Sequence, residues 1–136
     1  MTTKQITVLT ANGALPISRV ISRLSRAAID LRAHCLVDNG DGHCKLRMVV
    51  SDPDGAVAGL KAEKIAAVVN DVVMVETDDK PGALSRMLEM FADDDLQIEY
   101  SYTAASALPG VAVMVFRFSD NARAAAILRQ NGVAVL

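Results

Sequence analysis

The chain has 136 residues with a net charge of −2, and 51% of them are hydrophobic, so a folded core of aliphatic and Met side chains is expected. The slight negative charge argues against a nucleic-acid partner, because such proteins usually present a basic face. We expect a cytoplasmic protein with no membrane partner, since no apolar run reaches the roughly 18 residues of a membrane span, no signal-type stretch opens the chain and two cysteines do not make a disulfide scaffold.

The first half of the chain alternates strand and helix signals. A β-rich run at residues 6–10 is followed by apolar side chains with the spacing of an amphipathic helix: Ile17, Val20, Ile21 and Leu24. Alternating apolar residues then predict two strands, 31–37 and 44–50, joined by a Gly-containing hairpin loop. A second helix is expected near Ser51-Asp52-Pro53, where a side-chain oxygen can cap the first N–H groups and Pro suits the first turn, and a short strand follows at about 66–69.

The second half repeats this order with an offset of 67 residues, which places Thr10 on Thr77 and Ile29 on Leu96. Its strand at 72–77 precedes a helix with the same apolar spacing, formed by Leu84, Met87, Leu88 and Phe91. A hairpin at 97–103 and 111–118, a helix that starts near Ser119-Asp120 and a strand near 133–135 complete the copy. The repeat predicts two units, residues 1–69 and 70–136, joined without a linker.

Strand, helix, two strands, helix, strand is the order of the ferredoxin-like fold, so the predicted fold class is α+β. We expect two tandem βαββαβ units, each an antiparallel sheet with both helices on one face. The strand at 111–116 is apolar at both odd and even positions, so both of its faces carry apolar side chains. Its second face therefore also needs to be covered, by another sheet or by a second molecule. This pattern favours close packing of the two units or a homodimer.

Two segments of the second copy resemble the ACT domain family. The first is Thr77-Asp78-Asp79-Lys80-Pro81-Gly82-Ala83-Leu84, between a strand and a helix, and the second is Leu96-Gln97-Ile98-Glu99-Tyr100. The resemblance implies a regulatory module that binds a small ligand, most often an amino acid, between paired units and passes the effect to an enzyme. The chain looks like free-standing tandem ACT proteins, and residues 6–36 also resemble the regulatory subunit of acetolactate synthase.

Candidate ligand-binding residues come from chemistry and from this resemblance. A Gly at a helix start lets a carboxylate approach free N–H groups, and Asp78 or Asp79 can accept from an ammonium group. Serine-binding ACT domains contact their ligand through two Asn positions, which the offset maps to Asn12 or Asp79 and to Asp30 or Gln97. In the first copy Gly13 lies two residues early, so its turn should differ in shape. The full set is Asn12, Gly13, Asp30, Asp78, Asp79, Pro81, Gly82, Ala83, Leu84 and Gln97.

Other chemistry has weaker signals. The pairs His34-Cys35 and His43-Cys44 suggest zinc, but the hairpin is expected to place Cys35 against Cys44 on the core side and both His on the other side. No nucleophile with its base, phosphate loop or dinucleotide motif is present in the sequence. We therefore expect no catalytic residue, no metal site and no cofactor.

Two functions remain open from the sequence. The first is a non-catalytic, amino-acid-binding regulatory protein that acts as a homodimer. The second is a protein-docking regulatory subunit of an amino-acid biosynthetic enzyme, similar to the acetolactate synthase small subunit, without a ligand of its own. The broken Pro-Gly turn of the first copy favours the second function.

Overall fold

A computed structural model of the protein describes residues 2–136, and within them the fold is α+β, with four helices and antiparallel strands. The elements in chain order are β1 (Thr3–Ala11), α1 (Ala14–Arg26), β2 (Leu31–Asp38), β3 (His43–Val50), α2 (Pro53–Ala62), β4 (Ala67–Asp78), α3 (Ala83–Glu89), β5 (Ile98–Ala104), β6 (Val111–Phe118), α4 (Asn121–Gln130) and β7 (Ala134–Val135). The chain divides into two compact units, Lys4–Asn70 and Asp71–Leu136, with residues 2–3 joining the second. We call them the N-terminal and the C-terminal unit. Their boundary falls inside β4.

The N-terminal unit has β3 between β1 and β2, with Ile6 opposite Met48 and Leu36 opposite Leu46. Its core contains side chains from both helices and from one face of the strands, so α1 and α2 pack on that face. The buried members are Ile6, Val8, Val20, Leu24, Ile29, Leu46, Met48, Val50, Ala56 and Leu60. Cys44, Leu46, Met48 and Val50 of β3 are buried as expected, but Val49, expected on the opposite side, is buried as well, so the alternation in burial stops at Met48.

The C-terminal unit has the same plan, with β6 between β5 and β4 and with β7 on the other side of β4. Both α3 and α4 contribute to its core, whose buried members are Val73, Val75, Met87, Phe91, Met114, Phe116, Phe118, Ala124, Ala125 and Leu128. Each unit therefore places its two helices on one face of its strands, as predicted.

The opposite face of the C-terminal strands is also buried. Val72, Met74, Val113 and Val115 are each less than 10% exposed, which confirms that β6 is covered on both faces. This burial occurs within a single chain.

A bulge at the same place in β2 and β5 corrects one sequence expectation. The pairing with β3 shifts between Leu31 and Ala33, and the pairing with β6 shifts between Ile98 and Tyr100. One extra residue reverses the inward and outward alternation of everything after it. The expected common face of Leu31 and Ala33 is therefore wrong.

The bulge also moves the cysteines. Cys35 lies opposite Arg47 and Cys44 lies opposite Asp38, so the two thiols are on different faces rather than in contact. His34 lies opposite Met48 and shares the face of Cys44. The expectation that Cys35 meets Cys44 on the core side is wrong.

Helices α2 and α4 begin as predicted. The Asp52 carboxylate accepts from the N–H of Gly55 at 3.0 Å, and the Asp120 carboxylate accepts from the N–H of Arg123 at 3.0 Å. These side chains satisfy N–H groups that a helix start leaves free. A cap at each predicted turn is therefore confirmed, and the structure identifies Asp52 and Asp120 as the capping residues.

Three helices end in the same way. The N–H of Ile29 donates to Leu24 O, that of Ile65 to Leu60 O, and that of Val133 to Leu128 O. The residue before each donor has a positive φ: Ala28 at 56°, Lys64 at 61° and Gly132 at 78°. This is the Schellman arrangement, in which a left-handed residue ends the helix.

Helix α3 is short and only partly buried. It has seven residues, against thirteen in α1. Met87 faces the core, but Leu84 is 41% exposed and Leu88 is 37% exposed. The predicted apolar stripe of this helix is therefore wider than the surface that its own unit covers.

Candidate functional site

The turn between β4 and α3 carries most of the predicted ligand-binding residues. Asp78 ends β4, and the N–H of Asp79 donates to Gly110 O at 2.9 Å, which ties the turn to the β5–β6 loop. Gly82 has a φ of 86°, in the left-handed region that favours glycine, and it precedes α3. Pro81 stands before it, and Ala83 is buried at the start of the helix.

A cation that the sequence analysis did not include lies beside this turn. A Cβ atom added to Gly82 would lie 2.8 Å from Nη1 of Arg86, so the guanidinium group covers the glycine backbone. Arg86 makes no ion pair or hydrogen bond with another side chain in residues 2–136. Its repeat partner is Arg19, and this repeat was the one sequence signal that could have identified it.

The two carboxylates of the turn differ in their partners. Asp78 forms an exposed ion pair with Lys80, at 3.4 Å between Oδ2 and Nζ. No side-chain partner of Asp79 lies in the described part of the chain. Asp79 instead lines a cavity of about 380 Å³ together with Thr103, Ser106 and Gly110. Asp79 is thus the carboxylate that remains available to a ligand.

The corresponding turn of the N-terminal unit has another geometry. Gly13 precedes α1 with a φ of −71°, an ordinary extended conformation, so the predicted difference in turn shape is confirmed. The N–H of Asn12 donates to Gly42 O at 3.2 Å, as that of Asp79 does to Gly110 O, which confirms the predicted equivalence of Asn12 and Asp79. The Asn12 side chain, however, donates to Oδ1 of Asp38 at 2.9 Å.

The second pair of predicted positions is also equivalent. The N–H of Asp30 donates to Ser51 Oγ at 2.9 Å, and the N–H of Gln97 donates to Ser119 Oγ at 3.0 Å. Each serine N–H donates back to the carbonyl oxygen of the same residue, at 3.0 and 2.9 Å. Both residues are therefore held by their backbones, and their side chains are exposed.

Within a unit, the two predicted positions do not meet. Asn12 precedes α1 and Asp30 follows it, and a helix of thirteen residues is about 20 Å long. Asp30 lines a separate cavity of about 420 Å³ with Ile21, Ser25 and Ile29. Asp79 and Gln97 are likewise on opposite sides of α3 in the chain, one at the hairpin end of the strands and one at the far end.

Leu84 belongs to neither cavity. It lines a third, apolar cavity of about 470 Å³ on the outer side of α3, with Ser85, Leu88 and Glu89. Among residues 2–136 no group of three or more His, Cys, Asp and Glu side chains is placed to hold a metal ion. In the same stretch, no helix combines the length and the apolar character needed to cross a membrane.

Two successive α+β units, each with a short turn between its first strand and its first helix, define a tandem small-domain protein. The family model described as an ACT domain pair matches residues 1–135. The chain therefore belongs to the ACT domain family. Membership of this family supports a regulatory, ligand-binding role in general terms.

Solved structures agree with this assignment. Protein BT0572 from Bacteroides thetaiotaomicron is 32% identical with a TM-score of 0.92, covering 100% of this chain and 92% of that one. The regulatory subunit of aspartate kinase from Thermus thermophilus is 15% identical with a TM-score of 0.69, covering 95% and 91%. The regulatory subunit from Thermus flavus is 17% identical with a TM-score of 0.64, covering 96% and 92%. A comparison with curated protein sequences gives no match.

Proposed function

We propose that the protein is a non-catalytic regulatory protein that binds a free amino acid, and that each unit is a ferredoxin-like ACT module. The observation that carries this proposal is the β4–α3 turn, which offers an unpaired cation and an unpaired carboxylate. A free amino acid at neutral pH carries both opposite charges. The homodimer and the cytoplasmic location expected from the sequence are part of the same proposal.

The carboxylate of the ligand is assigned to Arg86 and the backbone around Gly82. A guanidinium group can donate two parallel hydrogen bonds to a carboxylate, which makes it a specific partner as well as a strong one. The side chain already lies over Gly82, where the absence of a Cβ leaves room for it. Binding there needs little rearrangement of the turn.

The ammonium group of the ligand is assigned to Asp79. Asp78 is less suited, because Lys80 already pairs with it. Thr103 lines the same cavity as Asp79 and offers a hydroxyl group to a polar ligand, whereas the Ser106 hydroxyl is already bonded to the Leu108 backbone. The remaining sequence candidates, Asp30 and Gln97, lie at the far end of the strands, so we propose for them a role in a second contact rather than in this one.

The two units are expected to differ in competence. Asn12 takes the place of Asp79 in the N-terminal unit, and its amide is already bonded to Asp38. A ligand would have to break this bond before it could use Asn12. We therefore propose the C-terminal unit as the principal ligand-binding unit.

The test is a thermal-shift screen of the purified chain against each of the common amino acids. Binding to the native state raises the melting temperature by mass action, by an amount that grows with ligand concentration. Asp79→Ala is expected to abolish the rise caused by the active amino acid. Asn12→Ala, the matched change in the other unit, is expected to retain it. A flat response to every amino acid, checked by calorimetric titration, would contradict the proposal.

A second candidate function is a docking subunit of a biosynthetic enzyme. The observation in its favour is exposed apolar surface on α3, where Leu84 and Leu88, 41% and 37% exposed, line the apolar cavity of about 470 Å³. Exposed apolar patches of this kind often mark interaction surfaces. Co-purification with a catalytic subunit that is lost in Leu88→Asp, together with flat amino-acid titrations, would select this function. Amino-acid binding that survives Leu88→Asp would select the first.

A further inference from the structure

Asparagine followed by glycine occurs at three places in the chain: Asn12–Gly13, Asn39–Gly40 and Asn131–Gly132. At such a pair the backbone nitrogen of the glycine can approach the side-chain carbonyl carbon, because the glycine has no Cβ to obstruct it. The reaction requires that both the side-chain amide and the glycine N–H be free to move. The three pairs differ in this respect.

At Asn39–Gly40, neither of the two reacting groups is held by a hydrogen bond within residues 2–136. It lies at the exposed tip of the β2–β3 hairpin, where the Asn39 N–H donates to His43 O at 2.8 Å. The Asn39 carboxamide and the Gly40 N–H make no hydrogen bond with any part of residues 2–136. A Cβ added to Gly40 would have no atom within 4 Å, so nothing crowds the pair.

The other two pairs are restrained. Asn131 donates through its side-chain amide to Ile127 O at 2.8 Å, and the Gly132 N–H donates to Arg129 O at 3.0 Å. Both reacting groups of this pair are therefore held by the end of α4. At Asn12 the side-chain amide is held by Asp38, whereas the Gly13 N–H makes no hydrogen bond in the described residues.

We propose that Asn39 is a site of spontaneous deamidation, with water as the only co-reactant. The Gly40 nitrogen loses its proton to solvent and bonds to Cγ of Asn39. The side-chain amide nitrogen takes a proton from solvent, its bond to Cγ breaks, and it leaves as ammonia. Water then opens the resulting five-membered imide at either carbonyl. The products are aspartate and isoaspartate at position 39.

This reaction changes the surroundings of Asn12, a candidate ligand-binding residue of the N-terminal unit. The product is a carboxylate, charged at neutral pH, between the carboxylates of Asp38 and Asp41. Asp38 holds the Asn12 side chain, and the Gly42 carbonyl accepts from the Asn12 N–H. A new charge or an isoaspartate linkage at the hairpin tip therefore acts on the contacts that position Asn12.

The experiment is incubation of the intact, folded chain in mildly alkaline buffer, followed by peptide mapping and an isoaspartate assay. In the native protein Asn39 is expected to convert roughly tenfold or more faster than Asn131, since two hydrogen bonds must open at Asn131. The same incubation in concentrated urea is expected to remove this difference. Equal rates at Asn39 and Asn131 in the native chain, or a ratio unchanged by urea, would overturn the proposal.

Variants localise the product. Asn39→Gln keeps the hairpin backbone and is expected to abolish the more acidic form of the protein. Gly40→Ala, at a φ of 81°, is expected to slow its appearance, whereas Gly42→Ala, at a φ of 86°, is expected to leave the rate unchanged. An acidic form that accumulates undiminished in Asn39→Gln would place the modification elsewhere.

Discussion

Gly82 and Gly42 share a φ of 86°, but their surroundings differ. A Cβ at Gly82 would meet the Arg86 guanidinium, whereas one at Gly42 would meet no atom within 4 Å. Alanine at either position is expected to lower the free energy of unfolding by about 1–2 kcal/mol, because the left-handed conformation disfavours a Cβ. Only Gly82→Ala also displaces Arg86, so only this variant is expected to lose amino-acid binding.

Urea unfolding and calorimetric titration of the two variants separate these effects. The comparison cancels the backbone strain, which is common to both, and leaves the contact with Arg86. Equal loss of binding in Gly42→Ala and Gly82→Ala would mean that general destabilisation, and not the position of Arg86, reduces affinity.

The sequence predicted which residues of the two copies correspond, because the offset of 67 residues is uninterrupted up to the hairpin. It did not predict the Asn12–Asp38 hydrogen bond, since this contact joins the end of β1 to the end of β2. Nor did it predict the position of Arg86 over Gly82, which depends on the turn conformation. The sequence pattern therefore identifies which residues of the two copies are equivalent, whereas the contacts of those residues depend on the folded structure.

Helices α1 and α2 end in the left-handed conformation without a glycine. Ala28 and Lys64 occupy the position that Gly132 occupies after α4. Ala28→Gly and Lys64→Gly are each expected to raise the free energy of unfolding by about 1 kcal/mol, because the steric penalty of the Cβ is removed while the hydrogen bonds to Leu24 and Leu60 remain. Urea unfolding measures this gain.

The reverse change provides the control. Gly132→Ala is expected to destabilise the protein by a similar amount, about 1 kcal/mol, with the same hydrogen-bond pattern. Stabilisation by Gly132→Ala, or destabilisation by both of the other two variants, would contradict this account of the helix ends.

The positions of the strands were easier to predict from the sequence than which face of the sheet each residue occupies. The order of strands and helices follows from apolar periodicity, and Cys44, Leu46 and Met48 of β3 are buried as their spacing indicates. The bulge in β2 could not be recognised in the sequence, because Arg32 looks like an ordinary outward-facing residue between two apolar ones. A single inserted residue therefore moved Cys35 away from Cys44 without changing the apparent pattern.

Within residues 2–136 the structure contains two cores of buried side chains, one in each unit. Leu60 and Leu128 occupy corresponding positions near the ends of α2 and α4, and both are fully buried. Each Leu→Ala change is expected to lower the free energy of unfolding by about 2–5 kcal/mol, through lost apolar contacts and the cavity that remains. Urea unfolding measures the loss, and hydrogen exchange locates it.

Protection from exchange is expected to fall most within 4–70 for Leu60→Ala and within 71–136 for Leu128→Ala. The control is Leu36→Ala, whose side chain is 45% exposed and should change stability by about 1 kcal/mol or less. A large loss of stability in Leu36→Ala would show that the exposure of a side chain does not predict its contribution to the free energy of unfolding in this protein.

At this scale the sequence predicted most of the architecture, since a repeat constrains two units at once. The duplicated order of elements and the helix placement on one face were both visible in the apolar spacing. The proposed homodimer stays a prediction.

Ser51 and Ser119 hold the residues before β2 and β5 by hydrogen bonds to the main chain alone. These hydrogen bonds therefore place little constraint on the type of side chain at either position. Asp30 and Gln97 illustrate this freedom, since a charged and a neutral group occupy equivalent places in one molecule. After gene duplication, mutation could change the chemical preference of one copy while the scaffold that presents it stayed intact.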